Sequence, residues 1–180
     1  MCAGPARSGD AVLGSIAVSR QPRSDLPDGM YHVTAQAVFG ASLFVDDEDR
    51  RAFFGLLEFV IARFELTCWA YCLMGTHYHL LLEGRRERLS DGMKRLNERY
   101  ARHFNKRHGR RGHIFAERYS AYVIEDESHF EEACKYIAAN PVRAGLCETV
   151  GDWPWSWVAG DSARVGGPAR RVPVPAVNIR

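Results

Sequence analysis

Short apolar runs divide the middle of the chain into segments with either a two-residue or a three-to-four-residue period. Residues 30–38 (MYHVTAQAV) alternate and include β-branched side chains, which predicts a strand. Residues 46–64 begin with acidic side chains and then place apolar ones three and four positions apart, which predicts a helix. Residues 66–74 (LTCWAYCLM) and 77–83 (HYHLLLE) predict two strands joined by a tight Gly-Thr turn.

The second half of the pattern adds two helices and one strand. One helix is predicted to begin with Ser90 as its N-cap and to end at Gly109, followed by a strand over residues 119–125. Residues 127–140 predict a third helix, which Pro141 should end because proline has no backbone N–H to donate. The order of elements predicts an α+β, ferredoxin-like split βαβ fold: an antiparallel sheet with helices packed on one face, plus a C-terminal helix that carries candidate catalytic residues.

These elements fill a single predicted domain from residue 29 to residue 158. Residues 1–28 and 159–180 are rich in glycine, proline and arginine without a period, which predicts a flexible N-terminal leader and a flexible tail. No apolar run reaches the roughly 18 residues of a membrane span, so no membrane partner is expected. The five cysteines form no CxxC pair, which indicates reduced thiols and a cytoplasmic location.

Positive charge is concentrated in the second predicted helix and the segment after it. The formal net charge is +2, but residues 85–118 hold twelve lysines and arginines against four acids, a local net charge of +8. Such a segment indicates a polyanionic partner, nucleic acid first, although a solvated basic helix face is the simpler alternative. His103, His108 and His113 are assigned to the same cationic face. The candidate DNA-binding residues are Arg95, Arg99, Arg102, Lys106, Arg107, Arg110, Arg111 and Arg118.

Two histidines and a distant helix supply the candidate chemistry. His77 and His79 are two residues apart in a predicted strand, so they share one face of the sheet and can act together as metal ligands. Tyr136 and Asn140 are four residues apart, so they share one helical face. Taken separately, a histidine pair is more often structural, a tyrosine is typical of a core, and an asparagine before proline is typical of a helix end. Their combination with a basic helix favours a functional site.

Four separated segments resemble one known family. They are AYCLMGTHYHLLLE (70–83), RLNERYARHFNKRHGRRGHIFAERYSAYVIED (95–126), YIAANPVRAGL (136–146) and DWPWSW (152–157). In this order they resemble the REP-associated tyrosine transposases, which are single-tyrosine members of the HUH endonuclease superfamily. The resemblance covers about residues 30–157 and is far more specific than the histidine pair alone.

The sequence departs from the pattern of that family in three places. Tyr78 stands between the two histidines, where the family has a bulky apolar residue. Gly75 and Thr76 precede the first histidine, where the family often has Pro-Asn, and this change should alter only the hairpin turn. The segment AQAVFG (35–40) stands where the family tends to carry Arg-Gly-Asn, near where DNA is handled, so it bears on substrate specificity and on activity.

The resemblance implies a reaction and a role for each candidate residue. Tyr136 would be the catalytic nucleophile, and His77, His79 and Asn140 would hold a divalent metal ion, Mg or Mn. The implied activity is a metal-dependent single-stranded DNA endonuclease and strand transferase that forms a 5′-phosphotyrosine intermediate at hairpin or palindromic DNA. The implied partner is single-stranded or hairpin DNA at the nucleoid, and the protein is expected to be a monomer or a homodimer.

Two other functions are considered from the residues. A catalytically silent ferredoxin-like module that binds structured DNA or RNA is favoured by the AQAVFG departure. The HVT segment at His32 could be half of the paired HxT motif of cyclic phosphodiesterases and RNA ligases, but the required second HxT is missing from the sequence. Trp153, Trp155 and Trp157 are predicted to be packing anchors that close the open side of the sheet, although an exposed one could stack on a base.

Overall fold

The chain builds one antiparallel sheet with three helices, seen in a computed structural model that describes residues 26–160. The elements are β1 (Gly29–Gln36), α1 (Asp47–Phe64), β2 (Thr67–Leu73), β3 (His77–Gly84), α2 (Arg86–Arg107), β4 (Ser120–Ile124), α3 (Glu127–Arg143) and β5 (Ser156–Val158). The strand order is β4-β1-β3-β2-β5, and every neighbouring pair is antiparallel. The predicted α+β fold is therefore confirmed, with β1 and β3 at the centre of the sheet.

Helices cover both faces of this sheet. The large core lies between the sheet and the α1–α2 pair, and it includes Phe53, Tyr78 and Leu96. A smaller core lies on the other face under α3, where Ala133 and Ile137 join residues of β2 and β3. The two helices of the ferredoxin-like unit share one face as predicted, and the additional helix occupies the opposite face.

The start of α1 follows from a local N-cap, and the packing of α1 on α2 depends on a glycine of α2. The Asp46 carboxylate accepts hydrogen bonds from the backbone N–H groups of Glu48 and Asp49, as an N-cap does. A β-carbon at Gly92 of α2 would lie 3.0 Å from a methyl group of Val60. Glycine at this position therefore lets α1 and α2 approach closely.

Helix α2 begins earlier than the sequence predicts, so Ser90 as the N-cap was wrong. The helix starts at Arg86 behind Arg85, which makes no side-chain cap hydrogen bond. Instead the carboxylate of Asp28 accepts a hydrogen bond of 2.8 Å from the backbone N–H of Arg86. A cap from a residue so distant in sequence leaves no local signal.

Helix α3 does not end at Pro141, so that prediction was also wrong. The helix contains Pro141 and continues to Arg143. Beyond Arg143 the chain turns at Gly145, which adopts a φ of 67°, with the N–H groups of Gly145 and Leu146 bonded to the carbonyls of Val142 and Pro141. This is a Schellman ending, and proline is compatible with it because the loss of one N–H in the last turn leaves the later bonds intact.

The tryptophan segment forms a fifth strand that the sequence did not predict. The three residues of β5 pair with β2, which extends the sheet by one strand. Trp155 is fully buried, and its indole N–H donates to the carboxylate of Asp47 over 2.8 Å. Trp153 donates to the carbonyl of Leu73, and Trp157 stacks on Tyr71. The predicted role of these tryptophans as packing anchors is confirmed.

The predicted leader (1–28) and tail (159–180) fall almost entirely outside the described residues. Within residues 26–160, no helix combines the length and apolar character needed to cross a membrane.

Candidate functional site

The two histidines of β3 lie on the face of the sheet that α3 covers. Strand alternation puts Tyr78 into the large core on one side and His77 and His79 on the other, as the sequence predicts. Their rings are perpendicular, with centroids 5.1 Å apart. His79 is buried, and in the sheet register it lies between Thr34 of β1 and Cys72 of β2.

Helix α3 brings its tyrosine against this pair. The ring of Tyr136 meets the ring of His79 edge-to-face, with centroids 5.6 Å apart. Asn140 lies one turn further along α3 and is buried. Its amide nitrogen donates a hydrogen bond of 2.9 Å to the carbonyl of Tyr136, which fixes the amide orientation. His79 and Tyr136, which are about sixty positions apart in sequence, thus meet on one face of the sheet.

Each candidate metal ligand uses its other polar atom in a hydrogen bond. His77 Nδ1 lies 3.1 Å from the hydroxyl of Thr76, and His79 Nδ1 lies 2.9 Å from Nε2 of His32. Asn140 uses its amide nitrogen, as described. In each ligand one atom remains for a metal ion: Nε2 of each imidazole and the amide oxygen. Metal-binding side chains are commonly oriented in this way, so the donor set fits a divalent ion.

This donor set depends on the asparagine. Within residues 26–160, no group of three or more histidine, cysteine, aspartate or glutamate side chains is arranged to hold a metal ion. Beside His77 and His79, the nearby donor on α3 that the sequence analysis selected is the amide oxygen of Asn140.

Burial controls the protonation of this site. Burial lowers the pKa of His32 to about 4 and places the pKa of His79 well below its usual value, and it also lowers the pKa of His77. These imidazoles are therefore neutral at pH 7, as metal ligation requires. Burial raises the pKa of the Tyr136 phenol, while the charge of Arg143 acts in the opposite direction.

His32 and Arg143 belong to this site, although the sequence analysis did not select them. His32 lies on β1, and its ring contacts the rings of His79 and Tyr136. Arg143 lies over the Tyr136 ring at 5.0 Å from the centroid. The spacing of Tyr136, Asn140 and Arg143 could have placed Arg143 on the same helical face. His32 required knowledge of the pairing between β1 and β3.

The predicted DNA-binding residues do not line the histidine face as one group. Helix α2, which carries five of them, packs on the opposite face of the sheet with α1. The segment after it returns to the sheet where His77 lies, because Ala116 N–H bonds the Gln36 carbonyl and Ala37 bridges to Phe115. The exposed members of the set are Arg95, Arg102, Lys106, Arg110, Arg111 and Arg118.

Two of the predicted DNA-binding arginines are half-buried against other side chains. Arg99 lies over the ring of Phe59, 5.0 Å from its centroid. Arg107 pairs with the carboxylates of Asp46, Glu48 and Asp49. His108 also contacts the buried Asp49, at 2.9 Å, so it belongs to this ion-pair cluster rather than to the exposed cationic face.

A tight turn presents one aromatic side chain fully to solvent near the same end of the sheet. Ala41 N–H bonds the carbonyl of Val38, and Gly40 adopts a φ of 73° within this turn. Phe39 is fully exposed at its tip. Because Val38 N–H bonds the carbonyl of Ile114, the turn is tied to the segment that carries Arg110, Arg111 and Arg118.

The histidine pair of β3 and the tyrosine of α3 thus lie together on one face of the antiparallel sheet. A family model described as "Transposase IS200 like" matches residues 27–140, which is more than half of the chain. The chain belongs to the IS200-like transposase family.

One protein of similar sequence and one solved structure of similar fold accompany this family match. A Haemophilus influenzae protein whose name assigns it to the REP-associated tyrosine transposases is 31% identical over 98 residues, covering 48% of this chain and 56% of the relative. The chain thus matches about half the length of that relative. A solved structure of a REP-associated tyrosine transposase bound to a REP hairpin has a similar fold, with a TM-score of 0.63 at 18% identity. That match covers 86% of this chain and 95% of the solved one.

Proposed function

We propose that this protein cleaves and rejoins single-stranded DNA beside a hairpin, with Tyr136 as the nucleophile. The contact that carries the proposal is the edge-to-face packing of the Tyr136 ring on His79, which sets a phenol beside the neutral imidazole that neighbours His77. Membership of a transposase family supports DNA as the substrate. The hairpin is taken from the solved structure of similar fold, which is bound to a REP hairpin.

The reaction is a transesterification at phosphorus. The Tyr136 oxygen attacks the scissile phosphate, the bond from phosphorus to the 3′ oxygen breaks, and the products are a 5′-phosphotyrosine and a free 3′-hydroxyl that takes up the proton lost by the phenol. The ester conserves the energy of the phosphodiester, so another 3′-hydroxyl can reverse the step and join strands. A neutral phenol is a weak nucleophile, and Arg143 over the ring favours its ionised form.

His77, His79 and Asn140 would hold the metal ion, and Thr76, His32 and the Tyr136 carbonyl would orient these three ligands. When bound, Mg or Mn would withdraw charge from the non-bridging phosphate oxygens. Imidazole ligands suit Mn better than Mg, which prefers oxygen, so we expect Mn to support more activity. The exposed cations at the end of α2 and in the following segment would bind the phosphate backbone.

The test offers labelled hairpins with single-stranded 5′ and 3′ flanks, in Mn or Mg, and examines a denaturing gel for a protein–DNA adduct. We expect an adduct with the wild-type protein and none with Tyr136→Phe or His77→Ala. The matched control is Tyr122→Phe, which removes the other phenol near His32 and should leave the adduct. An adduct that survives in Tyr136→Phe contradicts the mechanism. Tight hairpin binding without any adduct would instead support the silent binding module.

A further inference from the structure

A third histidine, His32, forms a hydrogen bond with one of the candidate metal ligands, His79. His32 lies on β1 opposite Leu81, one diagonal step from His79, and on the same face of the sheet. Its Nε2 lies 2.9 Å from Nδ1 of His79, and both rings are only 6% exposed. The ring of Tyr136 on α3 packs edge-on against both histidines.

A single proton between these two nitrogens decides whether His79 can bind a metal. A ligating histidine is neutral and carries one ring proton. If His32 donates, His79 accepts at Nδ1, and its own proton occupies Nε2, which then has no lone pair for a metal. If His79 donates from Nδ1, its Nε2 is free to ligate and His32 is the acceptor. Only the second arrangement is compatible with metal binding through Nε2 of His79.

We propose that His32 is a positioning residue that accepts the hydrogen bond from His79 Nδ1 and thereby holds His79 in its metal-binding tautomer. This inference rests on the proposed function, because it assigns His79 to the metal. It makes the two imidazole ligands unequal. Among residues 26–160, the His77 ring hydrogen-bonds to the exposed hydroxyl of its neighbour Thr76, which can rotate to donate or to accept. His79 is instead held by a buried ring on another strand.

The ring of His32 also shapes the surroundings of the nucleophile, so its two roles need separate variants. Its centroid lies 5.8 Å from the Tyr136 ring and 6.3 Å from the Tyr122 ring. His32→Phe keeps a ring at this position and removes the acceptor. His32→Gln removes the ring and offers an amide oxygen close to where Nε2 lies. Loss in the first variant and recovery in the second would isolate the hydrogen bond from the packing.

The experiment uses the full chain and two measurements. In metal-free protein with ¹⁵N-labelled histidine, long-range ¹H–¹⁵N correlation reports which ring nitrogen of His79 carries the proton. Calorimetric titration with Mn²⁺ alone then gives the metal affinity. We expect the proton on Nδ1 of His79 in the wild type and in His32→Gln, and an affinity in His32→Phe that is lower by roughly 10- to 100-fold, the usual effect of losing such a supporting partner. His32→Gln should recover most of that loss.

Thermal melting of each variant separates loss of the fold from loss of the hydrogen bond. If His32→Phe fails to fold, the tautomer of the wild type and the affinity of His32→Gln still decide. A proton on Nε2 of His79 in the metal-free wild type overturns the inference. An unchanged Mn²⁺ affinity in His32→Phe also overturns the inference. If the protein still forms the DNA adduct, this unchanged affinity does not contradict the proposed function. A wild-type protein that binds no Mn²⁺ overturns this inference, whereas the DNA adduct decides the proposed function separately.

Discussion

The guanidinium of Arg143 lies over the ring of Tyr136, with its central carbon 5.0 Å from the ring centroid. The two residues are seven positions apart, two turns of α3, so the helix itself sets this contact. A cation over an aromatic face stabilises electron density on the ring, and therefore the ionised phenol. The candidate nucleophile and the cation that favours its ionised form therefore lie on the same helix.

Removing that cation should slow adduct formation and move its pH dependence. Burial already raises the pKa of Tyr136, and Arg143→Met should raise it further because the opposing charge is lost. Below the pKa the ionised fraction falls tenfold for each unit by which the pKa rises, so we expect a rate at pH 7.5 that is lower by roughly three- to tenfold. The rate of adduct formation, followed from pH 6.5 to 9.5, should rise with pH in both proteins, with the variant displaced to higher pH. Arg143→Lys is the control that keeps a charge, and equal profiles for all three proteins would remove Arg143 from the mechanism.

Arg107 should serve the fold, whereas Arg102 should serve DNA binding. Arg107→Met removes the partner of three carboxylates, including the fully buried Asp49, so we expect the melting temperature to fall by several degrees. Arg102→Met changes an exposed side chain and should leave stability nearly unchanged. It should instead reduce the slope of log binding constant against log salt concentration by roughly 0.7 to 0.9, the loss of about one phosphate contact. The reverse pattern would exchange the two roles.

The ion-pair cluster also predicts how the fold responds to acid. The hydrogen bond from Arg107 lowers the pKa of Asp46 to about 2. Because the folded pKa lies below the unfolded value, this contribution to stability is present above about pH 4 and is lost as the pH falls toward 2. Wild-type melting curves between pH 5 and 2 should show this loss, and Arg107→Met should show a smaller dependence on pH over the same range. Parallel curves would contradict the assignment.

The close approach of α1 and α2 at Gly92 should tolerate no large side chain. Gly92→Leu would press against Val60, Leu66 and Phe64, and we expect the free energy of unfolding to fall by about 1–3 kcal/mol. Gly55→Ala is the matched control within α1, since a β-carbon there meets no atom within 4 Å. That change should raise stability by roughly 0.5–1 kcal/mol because alanine is the better helix former. Urea unfolding of both variants measures the difference.

Phe39 should act as a stacking platform for an unpaired base. The turn holds this ring fully in solvent beside the cationic segment, so Phe39→Ser should cost the fold little. If the ring stacks on a base, the variant should lose about 1–3 kcal/mol of binding to a hairpin with a single-stranded flank. A blunt hairpin supplies the internal control, and its affinity should not change. Equal losses on both substrates would place the ring against the duplex instead.

Local patterns predicted most elements, and they failed where a distant residue decides the outcome. The alternation of β3 placed His77 and His79 on one face, and helical spacing placed Tyr136 and Asn140 together, because both periods are properties of the local backbone. Ser90 as the N-cap was wrong because Asp28, which is 58 positions earlier in the sequence, caps α2. The role of His32 needed the register between two strands, which no local pattern contains.

Two further differences concern choices that local sequence leaves open. The amphipathic pattern of α2 shows which side of the helix is buried but not which face of the sheet it covers, so the distance of this basic helix from the histidine face could not be predicted. Proline usually ends a helix, yet Pro141 lies within the last turn of α3. The helix continues to Arg143, and the chain turns at Gly145. The three residues of β5 are too few to show an alternation and form a strand only because β2 offers an edge.

The isolation of α3 on its own face has a consequence for motion. The large core holds α1 and α2, whereas α3 rests on a small cluster that consists of Ala70, Cys72, Met74, Leu81, Ala133 and Ile137. A helix with less buried apolar surface opens at a lower free energy than the global unfolding of the domain. The backbone amides of α3 should therefore exchange with deuterium earlier than those of β1 and β3. If Tyr136 carries a DNA strand as proposed, that strand would be attached to a helix that opens before β1 and β3 separate, and it could reach a second 3′-hydroxyl while the centre of the sheet stays paired.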